Sequence, residues 1–406
     1  MTSTIRTDVD LSVDEEAVVA FTQELVRLRS VNDPGHGSGE ARVAELVADR
    51  MRALGWEPEV VEVAPGRPNV VAVVDGGGGP GPTLMFEGHT DVVTEGDLSA
   101  WTVDPYGAEI RGGRLHGRGS ADMKSGVAAM IYAVKAVQDA GPFPGRIVVG
   151  ALVDEEGLML GAKHFAHTAL AAEVDGVIVC EPEEGEICAV AKGAVRLRIE
   201  LTGAMAHGAM PQHARNPLPV AARVITGLER VQRRLQKEHG EHEHLGWTYL
   251  TPTVSLAGDV DQINVIPARA TVCVDTRTIP GVDHAAMVEA VTAMAREVAE
   301  GSGVRVDVQV VDDRPAVDTP VDHPVVAALA AAHEHVVGEP AVYGGVPGAT
   351  DGTILTRDAG LATVVYGPGG KWIAHQADEF VEVADILRCA RVYAEAARRF
   401  LTGNTA

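Results

Sequence analysis

Over its first 180 residues the chain sets four strand-sized apolar segments among helical stretches, and this alternation restricts the possible folds more than any other feature. NVVAVV (69–74), TLMFEG (83–88), GRIVVGALV (145–153) and GVIVCE (176–181) are apolar nearly throughout, instead of alternating with polar residues. Strands of that kind are buried on both faces. Helical text precedes and separates them. DEEAVVAFTQELVRLRS carries acids in its first turn and arginines in its last, matching the helix dipole. EARVAELVADRMRALG stops at Gly55, and MKSGVAAMIYAVKAVQDAG lies between the second and third strands. The order predicts an α/β domain with a mostly parallel sheet flanked by helices. The Gly-rich stretch Val74–Pro82 precedes a strand and lacks the Lys-Ser/Thr ending of a phosphate loop, so it reads as a turn.

The pattern changes near Val190. VRLRIEL (195–201) alternates as a strand with one wet face, and PLPVAARVITGLERVQRRLQ is helical. TPTVSLAG, ARATVCVDTR, the helix AAMVEAVTAMAREVAEG and the strand VRVDVQVV complete a β-α-β-β-α-β order. This predicts a ferredoxin-like α+β domain inserted at residues 191–313, between the parts 1–190 and 314–406 of the main domain. Hinges are expected near Val190 and Val311–Pro315. With 406 residues, 46% of them hydrophobic, two cores are within reach.

Composition excludes several function classes. A formal net charge of −23, with no basic run longer than Arg233–Arg234, argues against nucleic acid as a partner. Apolar runs are strand-sized, far from the roughly 20 residues of a membrane helix. The start, MTSTIRTDVDLSVDEE, has no apolar signal region, so the cytoplasm is the expected location. Cys180, Cys188, Cys273 and Cys389 form no CxxC pair, which disfavours a thiolate metal site or a disulfide framework.

The residues able to do chemistry gather where strands end. TLMFEG runs into His89 and Asp91; GRGSADMKSG places Asp122 before a helix. GALVDEEG ends on Glu155 and Glu156, GVIVCEP on Glu181, and GPGGKWIAHQADE carries His375 after a strand. Open α/β sheets bind ligands beyond the carboxyl ends of their strands, so these segments are expected to converge. Taken singly, each is weak: a His-x-Asp pair or two adjacent glutamates are ordinary. Their joint recurrence at strand-to-loop switches is what counts. Imidazoles and excess carboxylates suit zinc, cobalt or manganese, and one acid can bridge two ions.

These motifs resemble the cocatalytic dizinc aminoacylase and carboxypeptidase family, which includes acetylornithine deacetylase, succinyl-diaminopimelate desuccinylase and glutamate carboxypeptidase. The matching text spans GHTDVV, GRGSADMKSG, DEEG, CEP, GAMAHGAMPQHARNP, INVIPARATVCVDTR and GPG…AHQADE. The resemblance implies two divalent metal ions, most readily zinc, with His89 and Glu181 on one and Glu156 and His375 on the other. Asp122 would bridge them, Asp91 would orient His89, and Glu155 would be the general base of a metal-activated hydrolysis. A cis peptide is expected at Asp122–Met123. In the insert, His207 would polarise the scissile carbonyl, in its own or a partner subunit. Asn264 and Arg277 would bind the substrate, with Gly348, Thr350 and Gly369 lining the pocket. The insert would serve as lid and dimerisation domain.

The implied activity is cleavage of a small N-acyl amino acid, as by a deacetylase or desuccinylase. A dipeptidase or glutamate-type carboxypeptidase would use the same site. A non-catalytic metal-binding homologue is disfavoured, because Glu155 and all five ligands are present. A homodimer is expected. His239, His242 and His244 read as a solvated loop and His116 as scaffold, while Trp101 and Tyr106 border the cleft or pack.

Overall fold

In a computed structural model, residues 11–33 and 39–404 are described. Residues 1–10, which include most of the polar start read above, lie outside them. The chain forms two compact units: residues 1–189, 319–345 and 350–406, and residues 190–318 with 346–349. Among the described residues, no helix is long and apolar enough to cross a membrane.

The first unit is built on a twisted mixed sheet. Its centre is parallel: strand Thr83–His89 lies between Arg146–Leu152 and Gly176–Val179, and Thr363–Val365 continues beyond Gly176–Val179. Antiparallel strands flank this centre. Arg67–Asp75 pairs with Arg146–Leu152 on one side and carries the hairpin partner Glu59–Ala64; on the other, Val365 pairs with Cys188. The expected mostly parallel sheet is therefore parallel where helical crossovers link the strands. It turns antiparallel at its edges, where a tight turn at Pro65–Gly66 suffices. Every residue of Thr83–His89 is buried, as its unbroken apolar run predicts.

Helices Glu15–Val26, Ser125–Asp139 and Val383–Thr402 pack into the main core, where Phe21, Phe86, Met130, Ile131, Val392 and Tyr393 meet. A small sheet of Ile110–Arg111, Arg114–His116 and Phe380–Glu382 closes one margin. His116 pairs there with Phe380, a scaffold position, and its ring lies 5.7 Å from that of Phe380.

The second unit has the predicted order. Its antiparallel sheet runs Tyr249–Ala257, Arg269–Thr278, Gly193–Thr202, Arg305–Arg314, with helices Leu218–His239 and His284–Ala299. Alternation decides the faces: Val195, Leu197, Ile199 and Leu201 are buried with Val224, Leu228, Met287 and Val291 from the helices. Strand Tyr249–Ala257 is an edge and is mostly exposed, Leu256 at 63%. In the turn after helix Leu218–His239, His242 Nδ1 accepts from the backbone amides of His244 and Leu245, while His239 and His244 are exposed.

Candidate metal centre

Four neighbouring strands of the first unit deliver their carboxyl ends side by side. His89 ends the central strand, Glu155 and Glu156 follow Arg146–Leu152, Glu181 follows Gly176–Val179, and His375 follows Thr363–Val365. Strands in a sheet lie about 4.8 Å apart, so adjacency in the sheet becomes adjacency of these side chains. Asp122 arrives from the segment before helix Ser125–Asp139, and the Asp122–Met123 peptide is cis.

Asp122 sits at the middle of the group. His89 Nε2 lies 3.0 Å from its Oδ1 and His375 Nε2 lies 3.2 Å from its Oδ2. Glu181 Oε1 stands 3.4 Å from His89 Nε2, and Glu156 Oε1 stands 2.9 Å from His375 Nε2. Two groups able to hold an ion result, His89–Asp122–Glu181 and Asp122–Glu156–His375, with Asp122 common to both. The first is sealed, with His89 1% exposed, whereas the His375 side chain is 52% exposed. His375 holds φ at +66°, a left-handed conformation that few L side chains adopt, and so reaches back over the acids.

Asp91 is fully buried and organises the floor. Its Oδ1 lies 3.4 Å from His89 Nδ1, whose ring also lies 3.0 Å from the Asp91 carbonyl. The same carboxylate accepts the backbone amides of Glu155 at 3.1 Å and Glu156 at 3.2 Å. One side chain thus fixes both the ring of His89 and the turn that carries the two glutamates.

The electrostatics are those of crowded carboxylates. Burial, reinforced by Asp122, pushes Glu181 up to about 8. Burial and Glu181 do the same to Glu87, also to about 8. Burial raises Glu155 well above the ordinary range; His89 opposes this, and Glu181 and Glu156 add to it. Burial would raise Asp122 too, but hydrogen bonds from His375 and His89 hold it far below the usual carboxylate range. His375 is pushed up to about 10 by its bonds to Asp122 and Glu156. The ion pairs of Asp122, Glu156 and Glu181 are all with imidazoles. Oxygen and nitrogen donors without a thiolate, carrying surplus negative charge in a buried site, fit divalent metal ions.

A third set of potential ligands, Glu183, Glu186 and Cys188, is of another kind. Lys371 Nζ lies 3.0 Å from Glu183 and 2.8 Å from Glu186, so an ammonium already occupies it and offsets part of its charge. The pair also ties the loop of His375 to the segment following Glu181.

The remaining expected residues divide between the units. Gly369 packs on Ala121, where an added Cβ would come within 3.1 Å, and Thr350 is buried before helix Asp351–Ala359. In the second unit, His207 and Asn264 are neighbours: Ala206–His207 pairs with Val265–Ile266, and Gly208 N donates to Asn264 O. His207 Nδ1 accepts from Ala209 N at 3.0 Å, so the neutral ring carries its proton on Nε2. Arg277 is forked on Asp275, with Nε at 2.7 Å, and an added Cβ at Gly348 would stand 4.0 Å from its Nη1. Trp101 and Tyr106 pack: both bond Glu95, and the Arg118 guanidinium lies 5.2 Å from the Trp101 ring.

Sequence reading missed the supporting shell. Glu379 accepts from the amides of Ala121 and Asp122 and pairs with Arg118 at 2.5 Å. Both stand inside quoted motifs, GRGS and ADE, so a signal existed. Asp351, buried beside Glu87, followed Thr350 and was passed over. Asn32, Glu40 and Arg67 come from distant segments with no motif of their own.

The sequence model of peptidase family M20/M25/M40 matches residues 85–399. Succinyl-diaminopimelate desuccinylase of Cereibacter sphaeroides is 32% identical, over 95% of this chain and 99% of the relative. Acetylornithine deacetylase of Vibrio atlanticus is 28% identical, over 91% of this chain and 94% of its own. Among solved structures, a tripeptidase from Staphylococcus aureus shares the fold with a TM-score of 0.78 at 20% identity, covering 96% and 99% of the two chains. With the family matched over most of its length, the chain belongs to peptidase family M20/M25/M40 and is a metal-dependent hydrolase of amide bonds.

Proposed function

We propose that the protein removes the acyl group from a small N-acyl amino acid, using two divalent ions, most readily zinc, with cobalt or manganese as substitutes. The observation that carries the reading is Asp122. One carboxylate presents its two oxygens to two separate imidazoles, each backed by its own glutamate. His89 and Glu181 would hold one ion, Glu156 and His375 the other, with Asp122 shared. Bound there, the ions supply Lewis acidity toward the scissile carbonyl and ease the ionisation of water.

The chain's own residues do the rest. Glu155 is beside the ligand Glu156 but outside both ligand groups, so it is available as the base that takes a proton from the attacking water and returns it to the leaving nitrogen. Asp91 keeps His89 oriented. His207, with its proton on Nε2, polarises the carbonyl; Arg277, its Nε and Nη2 held by Asp275, offers Nη1 to the substrate carboxylate, with Asn264 assisting. Gly348, Thr350 and Gly369 line the pocket. The roles of His207, Asn264, Arg277 and Gly348 rest on the family motifs. The names of the relatives favour an acyl substrate over a peptide. We further assign the cytoplasm as location and a homodimer through the exposed edge strand Tyr249–Ala257.

The test is hydrolysis of a panel of N-acyl amino acids and short peptides after chelation and reconstitution with zinc, cobalt or manganese. Metal-restored cleavage of the acyl substrates is expected, and Glu155→Gln should lower kcat by about 10²–10⁴-fold while retaining metal. Absence of cleavage with both ions bound, or an active Glu155→Gln, refutes the assignment.

A further inference from the structure

Behind the ligands of the first unit lies a second layer of polar contacts, in which Asp91 and Asp154 of the quoted motifs are joined by a residue outside them. Asp91 and Asp154 are both buried carboxylates, and each organises a different part of the Glu155–Glu156 turn. Asp91 accepts the amides of Glu155 and Glu156; Asp154 Oδ2 accepts those of Leu158 at 3.1 Å and Leu160 at 3.3 Å. Two such anions side by side repel. Between them stands one side-chain amide: Asn32 Nδ2 donates to Asp91 Oδ2 at 2.7 Å and to Asp154 Oδ1 at 2.9 Å. An amide nitrogen has two protons, so both bonds are satisfied at once.

The backbone of Asn32 is held to the other half of the site. Its N–H donates to Val92 O at 2.8 Å, Val92 N returns a bond to Ser30 O, and Ser30 Oγ donates to Thr90 O at 2.7 Å. Asn32 therefore joins the end of strand Thr83–His89 to the turn after Arg146–Leu152. The fit is close. A Cβ at Gly157 would fall 2.4 Å from Asp154 Oδ1 and 3.0 Å from Asn32 Nδ2, so only glycine leaves room for the pair. Arg67 Nη1 also stands 2.6 Å from Asp154 Oδ1, and the same guanidinium pairs with buried Glu40. Asp154 Oδ1 thus meets both the charge of Arg67 and the neutral donor of Asn32, and it is the neutral donor that also bonds Asp91. A cation at position 32 would add positive charge next to the ligand layer and oppose the binding of metal ions.

We propose that Asn32 is a positioning residue of the metal centre: by bridging Asp91 and Asp154 it sets the Glu155–Glu156 turn relative to His89. The inference rests on the reading of these residues as metal ligands and base. Two variants test it. Asn32→Leu keeps the approximate shape and removes both donors; Asn32→Ser keeps one hydroxyl donor and is the milder change. Metal-free proteins are titrated with Co2+ by calorimetry, their unfolding midpoints are measured, and kcat and KM are determined after reconstitution with zinc. Loss of a group supporting metal ligands costs about 10–100-fold in metal affinity or activity. Asn32→Leu is expected to weaken Co2+ binding and lower kcat in that range, with KM changed by less than about twofold. Asn32→Ser should fall between it and wild type, and decides the matter should Asn32→Leu fail to fold. Wild-type affinity and kcat in whichever variants fold overturn the inference alone, as do losses that track only the folded fraction. Failure of the wild-type protein to bind Co2+ overturns the metal-centre reading beneath it.

Discussion

The ion pair of Arg118 and Glu379 offers a stability test whose size follows from its surroundings. Nη1 and Oε2 are 2.5 Å apart, and the side chains are 2% and 1% exposed. Unit charges at 4 Å attract by roughly 4 kcal/mol at an effective dielectric of about 20. Removing one partner of a buried pair costs about 3–5 kcal/mol, because the other charge stays buried without a counterion. Arg118→Met retains apolar contact with Trp101 but strands Glu379, so the metal-free protein should lose about 3–5 kcal/mol. In a unit of this size that lowers the unfolding midpoint by roughly 6–12 °C. A second substitution then separates two roles of Glu379, since its Oε1 also accepts from Ala121 N at 2.9 Å and Asp122 N at 3.2 Å. Arg118→Met with Glu379→Gln removes both charges and keeps an acceptor for those amides, so it should recover most of the loss. Arg118→Met with Glu379→Leu leaves two amides without an acceptor and should stay about 1–3 kcal/mol below it. The assay is chemical and thermal unfolding of the three metal-free variants beside wild type. A single variant destabilised by less than about 1 kcal/mol, below the range for broken buried pairs, would refute the argument. Equal stability of the two double variants would refute the role at the Asp122 amide.

Two further predictions concern pH and assembly. Burial alone would raise Glu95, but hydrogen bonds from Arg29 and Tyr106 outweigh it and hold the carboxyl at about 2. A carboxyl with a folded pKa below its unfolded value, near 4.3, stabilises the fold above that pH and ceases to do so as pH falls toward 2. The stability advantage of wild type over Glu95→Gln should therefore shrink between pH 6 and 3, followed by denaturant unfolding; a constant gap would contradict it. Leu256, 63% exposed on the edge strand of the second unit, should tolerate Leu256→Asp without loss of fold. That change is expected to convert the proposed dimer to monomer in analytical ultracentrifugation, and a wild type already monomeric at micromolar concentration would remove the edge strand from consideration.

What the sequence determined by itself is the material that local patterns encode. Three of the four continuous apolar runs marked strands buried on both faces, while NVVAVV leaves Val73 41% exposed; the alternation with helical text gave the α/β class, and period-two text such as VRLRIEL gave the one-faced sheet of the second unit. The candidate chemistry was legible because several of its acids and imidazoles sit at or just beyond strand ends: His89 closes Thr83–His89, and Glu181 follows Gly176–Val179 by two residues, whereas Asp122 precedes helix Ser125–Asp139. The tertiary structure decided what depends on which strands become neighbours. Antiparallel pairing of Arg67–Asp75 with Arg146–Leu152 and of Val365 with Cys188 made the sheet mixed, which no single strand's composition reveals. It also decided the supporting shell. Asn32 is 122 residues from Asp154, and Arg118 is 261 residues from Glu379. A side chain that only holds another in place needs a donor or a charge at the right point in space, and it leaves no periodicity or spacing in the sequence. The candidate ligands could be read from local text because strand ends fix most of their positions; their supports became visible only once the chain had folded around them.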